Sequence, residues 1–203
     1  MASKRTSKQT KEKKKRIEFR VIAGDLKARR VVVPDLGVTR PPLTRLRKSI
    51  FDFLNPYLPD ARYLDLFSGT GSYLFEAVSR GVAVAVGVEQ EERLAGAINR
   101  QAQTFDVASR LQCRCEDVFA AIPRLYNAGG QFDIIMIAPP QYVGLIGRTL
   151  TALAKHPLLT DNGMAICQHD TSETDDIDWS GWDITQRRRY GNTTYTILQA
   201  PDA

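Results

Sequence analysis

The stretch Tyr63-Leu64-Asp65-Leu66-Phe67-Ser68-Gly69-Thr70-Gly71 constrains the fold of this chain more than any other. An apolar run enters a turn built on two glycines and is followed at once by the helical Leu74-Phe75-Glu76-Ala77. Glycine accepts the positive backbone angles such a turn needs and lets a ligand approach the main chain. A strand that ends this way at the start of a helix opens a doubly wound sheet, whose ligands sit outside the carboxyl ends of the strands.

Downstream residues keep alternating. Strands are expected at Tyr63 to Phe67, Val82 to Val88, Leu111 to Arg114, Ile134 to Ile137 and Met164 to His169. Helices are expected around Leu74 to Ser79, Arg93 to Phe105, Val118 to Leu125 and Leu145 to Ala154. That order implies a parallel sheet with right-handed crossovers. A closing pair, Trp182 to Arg189 and Thr193 to Leu198, is joined at Tyr190-Gly191-Asn192, a composition suited to a tight antiparallel turn. The acidic stretch from Asp170 to Asp178 reads as a loop. The expected class is therefore α/β, doubly wound and Rossmann-like, with a final antiparallel strand.

A smaller element precedes the sheet. Phe19 to Ala23 and Arg29 to Val33 are β-rich runs flanking Gly24-Asp25, which predicts a hairpin. Arg40-Pro41-Pro42 keeps a helix from starting earlier, and from Leu43 the positions Leu46, Ile50, Phe53 and Leu54 recur at helical spacing until Pro56 and Pro59. The first sixteen residues carry eight Lys and Arg against Glu12 alone, with no apolar face to pack, so disorder is expected there. The chain thus divides into a basic tail at 1–16, a hairpin and helix at 17–60, and an α/β domain at 61–203. A hydrophobic share of 43% suffices for one such core.

Acidic side chains at successive strand ends define the ligand. Glu89, about twenty residues past the glycine turn, stands where a carboxylate accepts both hydroxyls of a ribose. Asp117, after the next strand, is placed to accept from an adenine amino group. A dinucleotide site would want a third glycine where Leu74 stands, and Asp65 at the mouth of the glycine turn repels a pyrophosphate. The same carboxylate pairs with an ammonium group. These features favour S-adenosyl-L-methionine (AdoMet) over NAD, with a cofactor site of Asp65, Phe67, Ser68, Gly69, Gly71, Glu89, Gln90, Asp117 and Val118.

The net charge of +5 is concentrated ahead of the sheet. Arg20, Lys27, Arg29, Arg40, Arg45 and Arg47 are the candidate RNA contacts, since cations at phosphate spacing bind a polyanion by releasing its counterions. No run approaches the roughly 18 apolar residues of a membrane span, so the expectation is a cytoplasmic protein with no membrane partner, and a monomer. Cys113, Cys115 and Cys167 lack the paired spacing of a zinc site, and no metal is expected. His156 and His169 stand alone, read as surface or core histidines whose bonds are satisfied.

Past the tail, the chain resembles the RsmD-type 16S rRNA (guanine-N2)-methyltransferases along nearly its whole length. The matching stretches are Arg20-Val21-Ile22-Ala23-Gly24, Thr39-Arg40-Pro41 with Arg47 and Phe51, Asp65 to Gly71, Glu76-Ala77-Val78-Ser79-Arg80-Gly81, Glu89, Asn99, Asp117, Phe132-Asp133, Pro139-Pro140 and Tyr190-Gly191. The resemblance implies AdoMet as methyl donor, a guanine amine of 16S rRNA as acceptor and the assembling small ribosomal subunit as the setting. It also implies that Pro139, Pro140 and Tyr142 shape the acceptor site.

One departure falls where the chemistry would occur. Enzymes that methylate exocyclic amines usually carry Asp or Asn, Pro, Pro and an aromatic residue after the fourth strand; here the run is Ala138-Pro139-Pro140-Gln141-Tyr142. The missing side chain normally accepts a hydrogen bond from the amine and aims its lone pair. Three readings stay open: transfer supported by backbone carbonyls around Pro139 or by Gln141, transfer to a different base, or a noncatalytic RNA-binding assembly module that keeps the AdoMet pocket.

Overall fold

The computed structural model describes residues 15–37 and 44–200. Arg40 and the basic tail before Lys15 lie outside the described residues. Arg16, assigned to the tail from sequence, instead opens the first strand.

A seven-stranded sheet carries the molecule, built from β3 (Arg62–Asp65), β4 (Val84–Glu89), β5 (Leu111–Cys115), β6 (Phe132–Ile137), β7 (Leu159–Asp170), β8 (Asp183–Tyr190) and β9 (Thr193–Gln199) in the order β5-β4-β3-β6-β7-β9-β8. The first five run parallel, and β9 is antiparallel to both β7 and β8, between which it lies. Helices α1 (Thr44–Leu54), α2 (Ser72–Ser79) and α3 (Glu92–Thr104) bury Ile50, Phe51, Leu74, Phe75, Leu94 and Ile98 on one face of the sheet. Helices α4 (Val118–Asn127) and α5 (Leu145–Lys155) bury Val118, Ile122, Ile146 and Leu150 on the other. The central strands read as near-continuous apolar runs because both faces are covered. Successive crossovers run outward from β3 to β5 and then, on its other side, from β6 to β7, so a crevice opens where β3 and β6 meet. Among the described residues no helix is long and apolar enough to cross a membrane.

The hairpin departs from expectation. Its strands are β1 (Arg16–Arg20) and β2 (Arg30–Pro34), paired from Arg16 opposite Pro34 to Arg20 opposite Arg30. Val21 still bonds across the hairpin, its N donating to Arg29 O (3.1 Å) and its O accepting from Ala28 N (2.9 Å), but beyond it Ile22 to Leu26 turn to α2. Glu76 accepts from the amides of Ile22 (2.9 Å) and Ala23 (3.2 Å), Ser79 Oγ accepts from Leu26 N (2.9 Å), and Ser79 O accepts from Asp25 N (2.8 Å). Gly24 sits at φ +79°, and a Cβ there would stand 1.7 Å from Ser79 O, so the approach requires glycine. Hairpin, α1 and sheet therefore share one apolar cluster running from Phe19 and Val31 through Phe51 to Tyr63 and Tyr195.

Beneath that cluster lies a buried ionic tie. Glu76 is fully buried, and Arg47 is 1% exposed. Arg47 Nε stands 3.7 Å from Glu76 Oε2, its Nη2 donates to Arg20 O, and its guanidinium lies over the Phe19 ring at 5.1 Å. Arg80 Nε adds a 3.0 Å bond to Glu76 Oε1. Burial pulls the Arg47 guanidinium below its ordinary range while Glu76 opposes the shift. Arg47 must therefore be withdrawn from the RNA-facing cations. Its position on the helix suggested solvent, but its partner lies on another helix and holds it inside.

Candidate AdoMet cleft

The crevice at the meeting of β3 and β6 is a cleft of about 750 Å³. It is lined by the turn after β3 (Leu66, Phe67, Gly69), by the end of β4 and the start of α3 (Val88 to Glu91, Leu94), by Glu116 to Phe119 after β5, by Ala138 to Gln141 after β6, and by Leu145 and Gln168. Among the described residues, four carboxylates and no Lys, Arg or His line it.

The glycine turn is fixed from below. Gly69 and Gly71 adopt φ of 51° and 76°, Gly71 N donates to Ser68 O at 2.7 Å, and Ser68 N donates to Val88 O at 3.0 Å, tying the turn to β4. Gly87 in β4 makes room for it, since a Cβ there would meet Leu74 Cδ1 at 2.5 Å and Ser68 Oγ at 2.6 Å. Sequence reading passed over Gly87, which looks like an ordinary strand glycine until the turn above it is seen. Glu89 closes the side wall. Its Oε2 accepts from Gly69 N (2.7 Å) and its Oε1 from Glu91 N (2.9 Å), which fixes the carboxylate at the strand tip. Burial raises the Glu89 carboxyl, while these amide bonds pull it back.

Asp65, Ser68 and Gly71, expected to face the cofactor, lie behind the lining. Asp65 is fully buried, and its Oδ1 accepts from Phe67 N at 3.3 Å while Oδ2 has no partner. Burial pushes its carboxyl up to about 7, the Phe67 amide opposes this, and the charge of Glu89 adds to it. An unpartnered buried carboxyl oxygen costs free energy that a cation nearby would return. Phe67, Gly69, Glu89, Gln90, Asp117 and Val118 line the cleft. Asp117 also caps α4, accepting from Phe119 N at 2.8 Å. Glu116 is paired with Arg124 on α4. Glu91, Leu94, Phe119 and Gln168 are further lining residues: Glu91 caps α3, Leu94 and Phe119 lie on the first turns of α3 and α4, and Gln168 lies within β7.

Pro139 is buried and Pro140 exposed, and both line the cleft. Tyr142 does not line it. The residue is 66% exposed, the backbone is at φ +62°, and Tyr142 N donates to Glu173 Oε1 at 2.7 Å. A hydrogen bond to Asp170 raises its phenol above the ordinary range. Glu173 belongs to a short turn that Asp170 caps, so part of the expected loop from Asp170 is ordered against the acceptor segment. His169 is buried with both ring nitrogens engaged, Nε2 with Thr196 Oγ1 (2.9 Å) and Nδ1 with Asp170 O (2.8 Å).

Of the remaining basic residues, Arg20, Lys27, Arg29 and Arg45 are exposed. Arg20 spends one donor on Ala28 O at 2.9 Å, and Arg29 lies over the Phe105 ring at 5.5 Å. A second groove, of about 740 Å³, runs between β2 and α3 and includes Lys15, Arg16, Arg93 and Arg100. Arg93 and Arg100 gave no signal in the sequence, because they are spaced as the solvated face of an ordinary helix.

Comparison with known proteins agrees with this geometry. The chain is 25% identical over 182 residues to the ribosomal RNA small subunit methyltransferase D of Escherichia coli strain K12, covering 90% of each chain. It is 26% identical over 181 residues to the putative rRNA methyltransferase YlbH of Bacillus subtilis strain 168, covering 89% of this chain and 98% of that one. The solved structure of the putative methyltransferase yhhF from Escherichia coli superposes with a TM-score of 0.77 at 24% identity, over 90% of this chain and 98% of the other, and so shares its fold. The family model described as conserved hypothetical protein 95 matches residues 19–199, and the chain belongs to that family, the RsmD family its sequence resembles.

Proposed function

We propose that this protein transfers the methyl group of AdoMet to RNA, and that the acceptor is the exocyclic N2 amine of a guanine in 16S rRNA of the assembling small subunit. The observation that carries the AdoMet reading is the sign of the cleft: among the described residues its lining holds Glu89, Glu91 and Asp117, with Glu116 paired to Arg124, and no Lys, Arg or His. Such a wall repels a pyrophosphate and suits a nucleoside bearing positive charge. The RNA acceptor is supported by the likeness to the Escherichia coli and Bacillus subtilis relatives, whose names specify rRNA methyltransferases.

The residues present fit that donor. Glu89, already fixed by two amides, has lone pairs left for the ribose hydroxyls. Asp117, Val118 and Phe119 would flank the adenine, and the unpartnered Asp65 Oδ2 beneath the turn suits the ammonium end. When bound, AdoMet supplies an electrophilic methyl carbon on a positively charged sulfur. The protein's part is to hold the acceptor nitrogen in line with that carbon, which contributes through orientation. Pro139 and Pro140 form the rim on which the base would lie, and the exposed ring of Tyr142 beside them is available to stack on a base turned out of its helix.

Incubation with labelled AdoMet and methyl-free small-subunit particles tests the reading; label in 16S rRNA, located at a guanine N2, is the expected result. Ala138 favours one alternative, an assembly module that binds without transferring, and no label above a no-enzyme control would establish it instead.

RNA contact is assigned to the exposed cations around the hairpin. Replacing Lys27, Arg29 and Arg45 together with Gln should weaken binding to small-subunit rRNA and reduce the slope of log affinity against log salt by about 2 to 3. AdoMet affinity should be unchanged. An unaltered salt slope would place the RNA on another face.

A further inference from the structure

Ala138 leaves the acceptor segment without a polar side chain, and the sheet brings a replacement to the same spot. In the parallel register of β6 and β7, Ile137 lies opposite Cys167. One residue further along, Ala138 and Gln168 emerge side by side, and both line the cleft. Packing fixes which way they point. Ile137 and Cys167 belong to the cluster under α4 and α5, whereas Ala138 packs against the opposite cluster and Gln168 Oε1 accepts from the Tyr73 hydroxyl on α2.

Gln168 is held firmly there. The Tyr73 hydroxyl is 3.0 Å from the Tyr195 hydroxyl, and both tyrosines are buried. Gln141, the other carboxamide near Ala138, is exposed and makes no side-chain hydrogen bond among the described residues. Positioning contributes to a rate only where the positioning group is itself fixed, which selects Gln168 over Gln141.

We propose that Gln168 supplies the acceptor that Ala138 lacks. One lone pair of its carboxamide oxygen is engaged by Tyr73; the other receives an N–H of the target amine and so directs the nitrogen lone pair at the methyl carbon. As the N–C bond forms and the C–S bond breaks, sulfur keeps the bonding pair and positive charge develops on nitrogen. The carboxamide stabilises that charge without accepting the proton, which leaves to water. Gln168 is thus a positioning residue for methyl transfer to an exocyclic amine, and the assignment rests on the methyl-transfer reading.

The test measures transfer of labelled methyl to methyl-free small-subunit particles by the wild type, Gln168→Ala and the double variant A138N/Q168A, with AdoMet affinity and thermal midpoint measured for each. Gln168→Ala should lower kcat about 10- to 100-fold, the loss expected for one hydrogen bond to a group developing charge. AdoMet affinity should stay within about twofold of wild type. The double variant should recover most of the lost rate, because A138N restores an acceptor on the adjacent strand; a residue that merely braced Tyr73 would not be rescued this way. Wild-type kcat in Gln168→Ala, or a loss that the double variant does not recover, overturns the assignment and leaves the methyl-transfer reading standing. A wild-type protein that transfers no label overturns both.

Discussion

Glu89→Ala should weaken AdoMet binding by about 100-fold or more, since each hydrogen bond to a charged group contributes about 1.5–3 kcal/mol and two ribose hydroxyls lose their acceptor. The loss is compounded in the turn. With Glu89 truncated, Gly69 N loses its 2.7 Å partner and the backbone that faces the cofactor is held less firmly to β4. Glu89→Gln keeps one carbonyl oxygen and the size of the side chain, so it should fall between the two, about 10-fold weaker than wild type. Calorimetric titration with AdoMet checks both. Affinity undiminished in Glu89→Ala would mean that the ribose lies elsewhere and would remove the side wall of the proposed site.

Glu76→Gln should destabilise the whole protein by about 3–5 kcal/mol, the usual cost of removing one partner from a buried charge pair. Glu76 is the meeting point of Ile22 N, Ala23 N, Arg80 and the buried Arg47. A neutral amide leaves Arg47 charged, desolvated and short of its counter-ion, and it offers the two hairpin amides one acceptor oxygen in place of two. Against a total stability of about 5–15 kcal/mol this is a large fraction, and for a domain of this size it corresponds to a fall in Tm of about 10 °C. Urea unfolding of wild type, Glu76→Gln and E76Q/R47M measures it. The double variant should regain part of the loss, because the stranded charge is gone. A Glu76→Gln protein within about 1 kcal/mol of wild type would show that the tie contributes little.

The candidate cleft and the ionic tie differ in how far the sequence revealed them. The cleft was legible because its parts are set by local rules: an apolar run, a glycine turn, then a carboxylate at the next strand end. Gly69, Glu89 and Asp117 can be located from periodicity and spacing alone. Arg47 could not, because an arginine on an amphipathic helix reads as solvent-facing until its counter-ion is located, and Glu76 is on another element far along the chain. The hairpin is present, but its strands lie at Arg16–Arg20 and Arg30–Pro34, shifted from the expected runs for the same reason. Ile22 and Ala23 read as a continuation of the strand, but Glu76 and Ser79 take the hydrogen bonds a ladder would have used. Gln168 was hidden differently: its place beside Ala138 depends on the pairing of β6 with β7, which no local pattern encodes. Tyr142 stands one position past the place the motif gives its aromatic residue, and Glu173 and Asp170 hold it over a capped turn outside the cleft lining.

The position of β9 has a consequence for biosynthesis. It leaves the ribosome after β7 and β8, yet it is the strand that joins them. Until it is inserted, the growing polypeptide presents the bare edge of β7, and β8 has no neighbour to pair with. Tyr195, which braces Tyr73 from β9, is also still missing. The nascent chain therefore passes through a stage with unpaired strand edges, when capture by chaperones or by another copy competes with completion. The contact between Tyr73 and Tyr195 can form only once β9 has been made and has paired with β7.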